Sequence, residues 1–281
     1  MPALPGSLKF WLPGSATLLV SAVLLFAQLG HYSLWDDEAL TALVAMGVAK
    51  TGDTSVILDH NVVAFRNGLL VVNQRDRSTP PLCEYLTAPF LIAFPGSALA
   101  ARWPFALLGW LTVLLVVVAM QKNTVPAFTQ WLAFLAISGN VSLFLYFRQC
   151  RYYSLVMFFS TLIVVLYLSW KTVSTRRLLL LGLLSVLLFA SNYVSYVLVY
   201  TCLGIDYLLW RRTELKLSIR DLALLFIPQG IGCLLLACVW NPFKVSYGAY
   251  LQQNTSWDRV LMFLWSWRDM NQCEFFCGVL L

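Results

Sequence analysis

The sequence predicts an all-α, polytopic membrane protein, and three observations carry that prediction. First, 60% of the 281 residues are hydrophobic and 11% are charged, against roughly 45–50% and about 25% in ordinary soluble domains. Second, charge-free runs extend from Phe10 to Trp35, Trp103 to Gln121, Asn123 to Phe147, Tyr152 to Trp170, Leu178 to Ile205 and Leu222 to Phe243. Most exceed the roughly 20 residues that a helix, rising about 1.5 Å per residue, needs to cross a hydrocarbon core of about 30 Å. Third, the basic residues fall in short clusters between those runs: Lys9, Lys122, Lys171 with Arg176 and Arg177, and Arg211, Arg212, Lys216 and Arg220. Such clusters mark topology, and they set aside nucleic acid as the reason for the formal charge of +6.

The elements follow in order. The run from Phe10 is too long for a cleaved signal peptide and lacks a small-x-small exit, so it is read as the first helix. With the N-terminus cytoplasmic, that helix delivers the one long polar stretch, Asp36 to Glu84, to the outer face. This stretch holds seven of the thirteen acidic residues, namely Asp36, Asp37, Glu38, Asp53, Asp59, Asp76 and Glu84. A connection of about fifty residues inside a compact helical protein is functional or disordered. Within it, Ala39 to Ala49 reads as a short helix on the membrane surface, begun by acids that suit a helix N-terminus.

Tyr85 to Ala101 is uncharged but interrupted by Pro89, Pro95 and Gly96. If it spanned fully, every later basic cluster would fall on the outer side, so a hairpin that dips in and returns is expected; a span that breaks the charge rule is the alternative. Leu178 to Trp210 divides at Ser191-Asn192-Tyr193 into two short helices, which keeps Arg211 cytoplasmic; a single long helix with an overhang is the alternative. The aromatic stretch from Phe243 through Arg268 suits the headgroup layer. Phe275 to Leu281 is apolar and uncapped, as expected of the N-terminal part of a longer chain. The result is one transmembrane domain over residues 1–281 with about seven or eight membrane segments. The seven cysteines form no CxxC pair and no close Cys/His cluster, and Cys273 with Cys277 is the one weak candidate for a bridge.

Polar features stand at the ends of the apolar runs. Leu34-Trp35-Asp36-Asp37-Glu38-Ala39 puts three carboxylates in succession at the mouth of the first helix. Adjacent like charges at a partly desolvated boundary suit a general base, and capping the surface helix is their alternative role. Arg75-Asp76-Arg77-Ser78-Thr79-Pro80-Pro81-Leu82 sets two arginines before a corner stiffened by proline. Those arginines offer bidentate donors to a phosphate or pair with Asp76. Phe147-Arg148-Gln149-Cys150-Arg151-Tyr152-Tyr153-Ser154 and Arg102, beside Trp103-Pro104, lie outside on the expected topology, against the positive-inside bias. Each of these arginines wants an anionic partner, a carboxylate or a lipid phosphate, unless it snorkels to headgroups.

Together these segments resemble a known family. Trp35-Asp36-Asp37-Glu38-Ala39, then Pro80-Pro81-Leu82 with Tyr85, then Gly96-Ser97 with Ala100-Ala101-Arg102-Trp103-Pro104, then Arg151-Tyr152-Tyr153-Ser154-Leu155 look like the bacterial relatives of protein O-mannosyltransferases and of the lipid A aminoarabinose transferase. These are multi-spanning GT-C glycosyltransferases that take a sugar from a polyprenyl-phosphate carrier. The resemblance implies a GT-C-like transmembrane helix bundle with surface helices in the first outer loop. It implies a multi-pass place in the plasma membrane, with the active site on the extracytoplasmic face. Asp37 and Glu38 are then the catalytic acids, Asp37 as general base on an acceptor hydroxyl or amine. Asp36, Arg75, Arg77, Pro80, Pro81, Arg102, Arg148, Arg151 and Tyr152 are the implied substrate-binding residues. Attack on the face opposite the carrier phosphate inverts the anomeric centre.

Two positions depart from the family pattern. Thr79 stands where the aminoarabinose transferases have a lysine before the paired prolines, which leaves the phosphate contact to Arg77 or Arg75. The family's second acid near the later arginine motif is missing from Arg148-Gln149-Cys150-Arg151. The implied partners are a polyprenyl-phosphate-linked sugar and the lipid bilayer, with no nucleic acid and no required cofactor, although the acidic triplet permits a divalent metal. The rival reading is a non-catalytic membrane protein that binds the carrier lipid or works like a transporter. Transporters place ionisable residues at mid-membrane and show repeated halves, and the sequence has no evident repeat.

Overall fold

The computed structural model describes residues 6–63, 71–77, 79–170, 174–240, 257–258 and 260–261. Helix α1 (Gly6–Phe26) stops short of the charge-free run that encodes it, because Gln28 adopts φ 53°, a left-handed conformation that an α-helix does not continue. Helix α2 (Asp36–Thr51) covers the helix anticipated over Ala39–Ala49, begun three residues earlier than its apolar pattern and ended by Gly52 at φ 75°, the left-handed position that glycine fills without a Cβ clash.

Two small antiparallel hairpins follow: β1 (Ile57–Leu58) with β2 (Asn61–Val62), and β3 (Val71–Val72) with β4 (Arg75–Asp76). They are the departure from an all-α fold. Ile57 pairs with Val62 and Val71 with Asp76, and a bridge from Ser55 to Arg75 ties the hairpins together.

Helix α3 (Leu82–Ala93) is 12 residues, about 18 Å long, too short to cross a bilayer. A turn at Phe94–Ser97 then leads into α4 (Ala98–Lys122), whose first free N–H groups are met in part by the Ser97 hydroxyl. Helix α4 runs antiparallel to α1: Gly30 abuts Leu99, Trp110 Nε1 donates to the Leu18 carbonyl, and Gly14 abuts Val117. The segment from Tyr85 to Ala101 is therefore one short helix, a turn and the first residues of α4, and it leaves the start of α4 beside the end of α1.

The run from Asn123 to Phe147 is not one helix. It divides into α5 (Ala127–Ser138) and α6 (Val141–Phe147), bent by 63°, because the Asn140 side chain accepts the N–H of Leu143 and starts a second helix. Helix α7 (Tyr153–Leu168) packs along α4, and α8 (Thr175–Ser191) and α9 (Tyr193–Asp206) form an antiparallel pair whose break is capped by Asn192. A single π-helical turn (Tyr207–Arg211) ends α9, and α10 (Ile219–Val239) packs along α8.

Arg211 donates to the carbonyls of Tyr167 and Trp170 at the end of α7. Connectivity therefore gathers Lys122, Arg176, Arg177 and Arg211 at one end of the bundle and the Asp36–Glu84 segment at the other. Among the described residues, α4, α9 with its π turn, and α10 are long and apolar enough to cross a membrane, and the bent α5–α6 pair makes a fourth candidate. Trp11–Phe26, α3 and α7 are apolar but shorter, so fewer helices meet the full length than the seven or eight segments read from the runs. Most of the aromatic stretch after Phe243, and both Cys273 and Cys277, lie outside the described residues.

Candidate active site

The acidic end of the bundle is assembled from three chain segments: the α1–α2 junction, the start of α4, and the α6–α7 connection. Glu38, in the first turn of α2, has no solvent exposure. Arg102 grips it with two bonds, Nε to Oε1 at 2.9 Å and Nη2 to Oε2 at 2.6 Å, the planar fork geometry that arginine offers a carboxylate. Oε1 also accepts the backbone N–H of Cys150 at 2.7 Å, and Oε2 reaches back to the N–H of Trp35, as an acid at the third helical position does in a capping box. Arg102 donates further to the carbonyls of Leu29, Tyr32 and Ser33. One ion pair thus holds all three segments.

Asp37 faces a different way, since each residue turns a helix by about 100°. Its Oδ2 lies 3.3 Å from Arg151 Nη2, its backbone carbonyl accepts from Nη1, and its side chain keeps 31% of its exposure. Arg151 sits 5.5 Å over the Tyr152 ring, a cation–π distance, while its buried Nε has no hydrogen-bond partner among the described residues. Asp36, one step further round, is exposed and makes no ion pair among the described residues. The acidic triplet is therefore split among three environments.

The remaining sequence-predicted residues fall into two groups. Arg77 is 9% exposed and clamps Asp53, with Nη1 to Oδ1 at 2.8 Å and Nη2 to Oδ2 at 2.9 Å. It also donates to Thr54 and lies 4.7 Å over the Trp240 ring. Arg75 pairs with the same carboxylate at 3.1 Å, so both arginines serve Asp53 rather than Asp76. The Arg77 guanidinium, ahead of the opposing effect of burial, holds the Asp53 carboxyl below its usual range. Pro80 and Pro81 are buried where α3 begins, Pro81 in the capping position, and they form the stiff corner anticipated from their pairing. Arg148 turns to α1 and donates to the carbonyls of Leu24 and Ala27.

Sequence reasoning missed Glu84 as a site residue. It lies in the first turn of α3, 6% exposed, with Oε2 buried and without a hydrogen-bond partner among the described residues. Burial, and then the nearby Asp76 carboxylate, push its pKa up to about 8, against a smaller opposing pull from Arg151. A carboxyl that stays protonated at neutral pH inside a polar cluster is the kind of group found at functional sites. The signal for it was an acid standing alone at the head of the apolar stretch Leu82–Ala93. Burial also keeps the neighbouring thiols protonated, with Cys150 pushed up to about 12 and Cys83 raised as well.

No protein-family model, curated protein or solved structure matches the chain. Among the described residues, no three His, Cys, Asp or Glu side chains converge to hold a metal ion. Glu38 and Asp37 are already committed to arginines, so the triplet does not close around a cation. Chemically, the arrangement offers one partly open carboxylate beside a guanidinium, one buried acid held protonated, and one buried ion pair.

Proposed function

We propose that this chain carries the active site of a membrane glycosyltransferase that moves a sugar from a polyprenyl-phosphate carrier to an acceptor hydroxyl or amine. The observation that supports this reading is the meeting of Asp37 with Arg151, 114 residues apart in sequence, next in sequence to the residues of the Glu38–Arg102 system, Glu38 and Cys150. Asp37, Glu38, Arg102 and Arg151 belong to three of the segments on which the family resemblance rests. In the proposed reaction Asp37 takes the acceptor proton as its oxygen or nitrogen attacks the anomeric carbon. The bond to the carrier phosphate breaks on the opposite face with inversion, and Arg151, beside Asp37, orients its carboxylate toward the acceptor. Glu38 acts as a positioning residue, since its oxygens are spent on Arg102 and on backbone N–H groups. Arg75 and Arg77 shape the loop through Asp53.

In this reading the acidic end lies on the extracytoplasmic face of the plasma membrane, which the positive-inside bias supports. The test is Asp37→Asn in the full-length protein, assayed for transfer from polyprenyl-phosphate sugars. Loss of a general base costs about 10²–10⁴ in rate, with membrane insertion and the thermal melt retained. Transfer at the wild-type rate removes Asp37 from the mechanism. A wild-type protein that binds the carrier lipid but transfers nothing makes the chain a non-catalytic binder.

A further inference from the structure

A groove of about 640 Å³ opens between α1 and α6. Its walls are apolar and face outward: Val23 and Leu24 on α1 are 58% and 38% exposed, and Val141 and Leu145 on α6 are 61% and 56% exposed. Its other end is polar, formed by Arg148 and Gln149 against the Glu38–Arg102 pair. An apolar trough leading to a charged end matches a lipid, with a chain along the helices and a headgroup at the top.

Charge and hydrogen bonding narrow the class of lipid. Arg102 and Glu38 neutralise each other, whereas Arg148 makes no ion pair among the described residues, leaving one uncompensated positive charge. Two of the five N–H donors of its guanidinium are taken by the carbonyls of Leu24 and Ala27. Burial, and then the nearness of Arg102, already work against its charge, so an anion placed there relieves a cost. Gln149 Oε1 and Ser138 Oγ, both in the lining, are buried without hydrogen-bond partners among the described residues. An unpartnered amide oxygen needs a donor, which a phosphodiester group lacks and a hydroxyl elsewhere on the headgroup supplies. Asp37 does not line the groove, so an occupant is held there without reaching the proposed base.

We propose that the α1–α6 groove binds an anionic phospholipid of the surrounding bilayer, one acyl chain along Val23, Val141 and Leu145, its phosphate against Arg148 and a headgroup hydroxyl at Gln149. Phosphatidylglycerol is the simplest lipid with that chemistry. The site goes beyond the transferase reading and stands without it.

The experiment uses the full chain in mild detergent, with bound lipid counted by native mass spectrometry. The arms are phosphatidylglycerol, phosphatidylcholine, a polyprenyl monophosphate, and phosphatidylglycerol in the presence of inorganic phosphate. Phosphatidylglycerol is expected to be retained one per chain, at least about tenfold tighter than phosphatidylcholine, and not displaced by inorganic phosphate. Arg148→Gln should erase that preference. Because Arg148 also caps α1, Leu145→Trp provides the independent arm: it fills the groove from an exposed position, leaves the guanidinium untouched, and should lose the lipid with an unchanged melt. Equal retention of the two phospholipids, or undiminished phosphatidylglycerol binding in Leu145→Trp, overturns the proposal. Tighter retention of the polyprenyl monophosphate overturns it in favour of the carrier, and displacement by inorganic phosphate in favour of a soluble anion.

Discussion

Replacing Glu84 with Gln should change how the protein's stability depends on pH, and the size of the effect follows from the burial of that one carboxyl. Its pKa is raised from an ordinary 4.5 to about 8 in the folded state. The folded chain therefore holds a proton that the unfolded chain has released throughout that window, so stability falls as pH rises through it. Each pH unit costs about 1.4 kcal/mol, which sums to about 5 kcal/mol between pH 4.5 and 8. Below pH 4.5 both states are protonated and the loss vanishes; above pH 8 it is complete. Glutamine keeps the shape and stays neutral, so Glu84→Gln should match the wild type near pH 4.5 and exceed it increasingly up to pH 8. Unfolding in detergent across pH 4.5 to 9, read as midpoint against pH for both proteins, measures the difference. Parallel profiles would show that Glu84 ionises as freely in the folded protein as in the unfolded one, and the argument from its burial and from Asp76 would fail.

The Glu38–Arg102 pair makes a second prediction: Arg102→Leu strands a buried carboxylate and should cost about 3–5 kcal/mol, while the double variant Glu38→Gln/Arg102→Leu regains much of it. Unfolding midpoints of the single and double variants give the coupling, and a single variant as stable as the wild type would contradict the arrangement. Gly47 faces the carbonyl oxygen of Ser55, where an added Cβ overlaps backbone. Gly47→Ala should therefore destabilise by about 1–3 kcal/mol, seen as a lowered melting temperature, and an unchanged melt would mean that this close approach is absent.

Some of the fold was legible because local chemistry encodes it. Ser191-Asn192-Tyr193 broke a long apolar run visibly, and the structure divides α8 from α9 there because Asn192 caps the second helix. The Asn123–Phe147 run holds the same device at Gly139-Asn140, yet its length suits a single span and the run reads as continuous. The four two-residue strands escaped notice because period-2 patterning needs more length than two residues to show. Asp76 looked like the partner of its flanking arginines, but in an extended strand successive side chains point to opposite faces, so Arg75 and Arg77 share a side away from Asp76 and meet Asp53.

What the sequence determined by itself is the apolar character of the chain and the placing of its segments: the apolar runs, some of their interruptions, and the collection of Lys122, Arg176, Arg177 and Arg211 at one end with the acidic segment at the other. These are properties of single segments, set by transfer of side chains from water and by local capping. What only the tertiary structure decided is which charges meet. Glu38 and Asp37 are adjacent in sequence and equal in chemistry, yet one is sealed against Arg102 and the other left half-open beside Arg151. Glu84 is an ordinary acid until α3 buries it near Asp76. Desolvation and Coulomb energy depend on distances through space, and those distances are set by helix packing across more than a hundred residues.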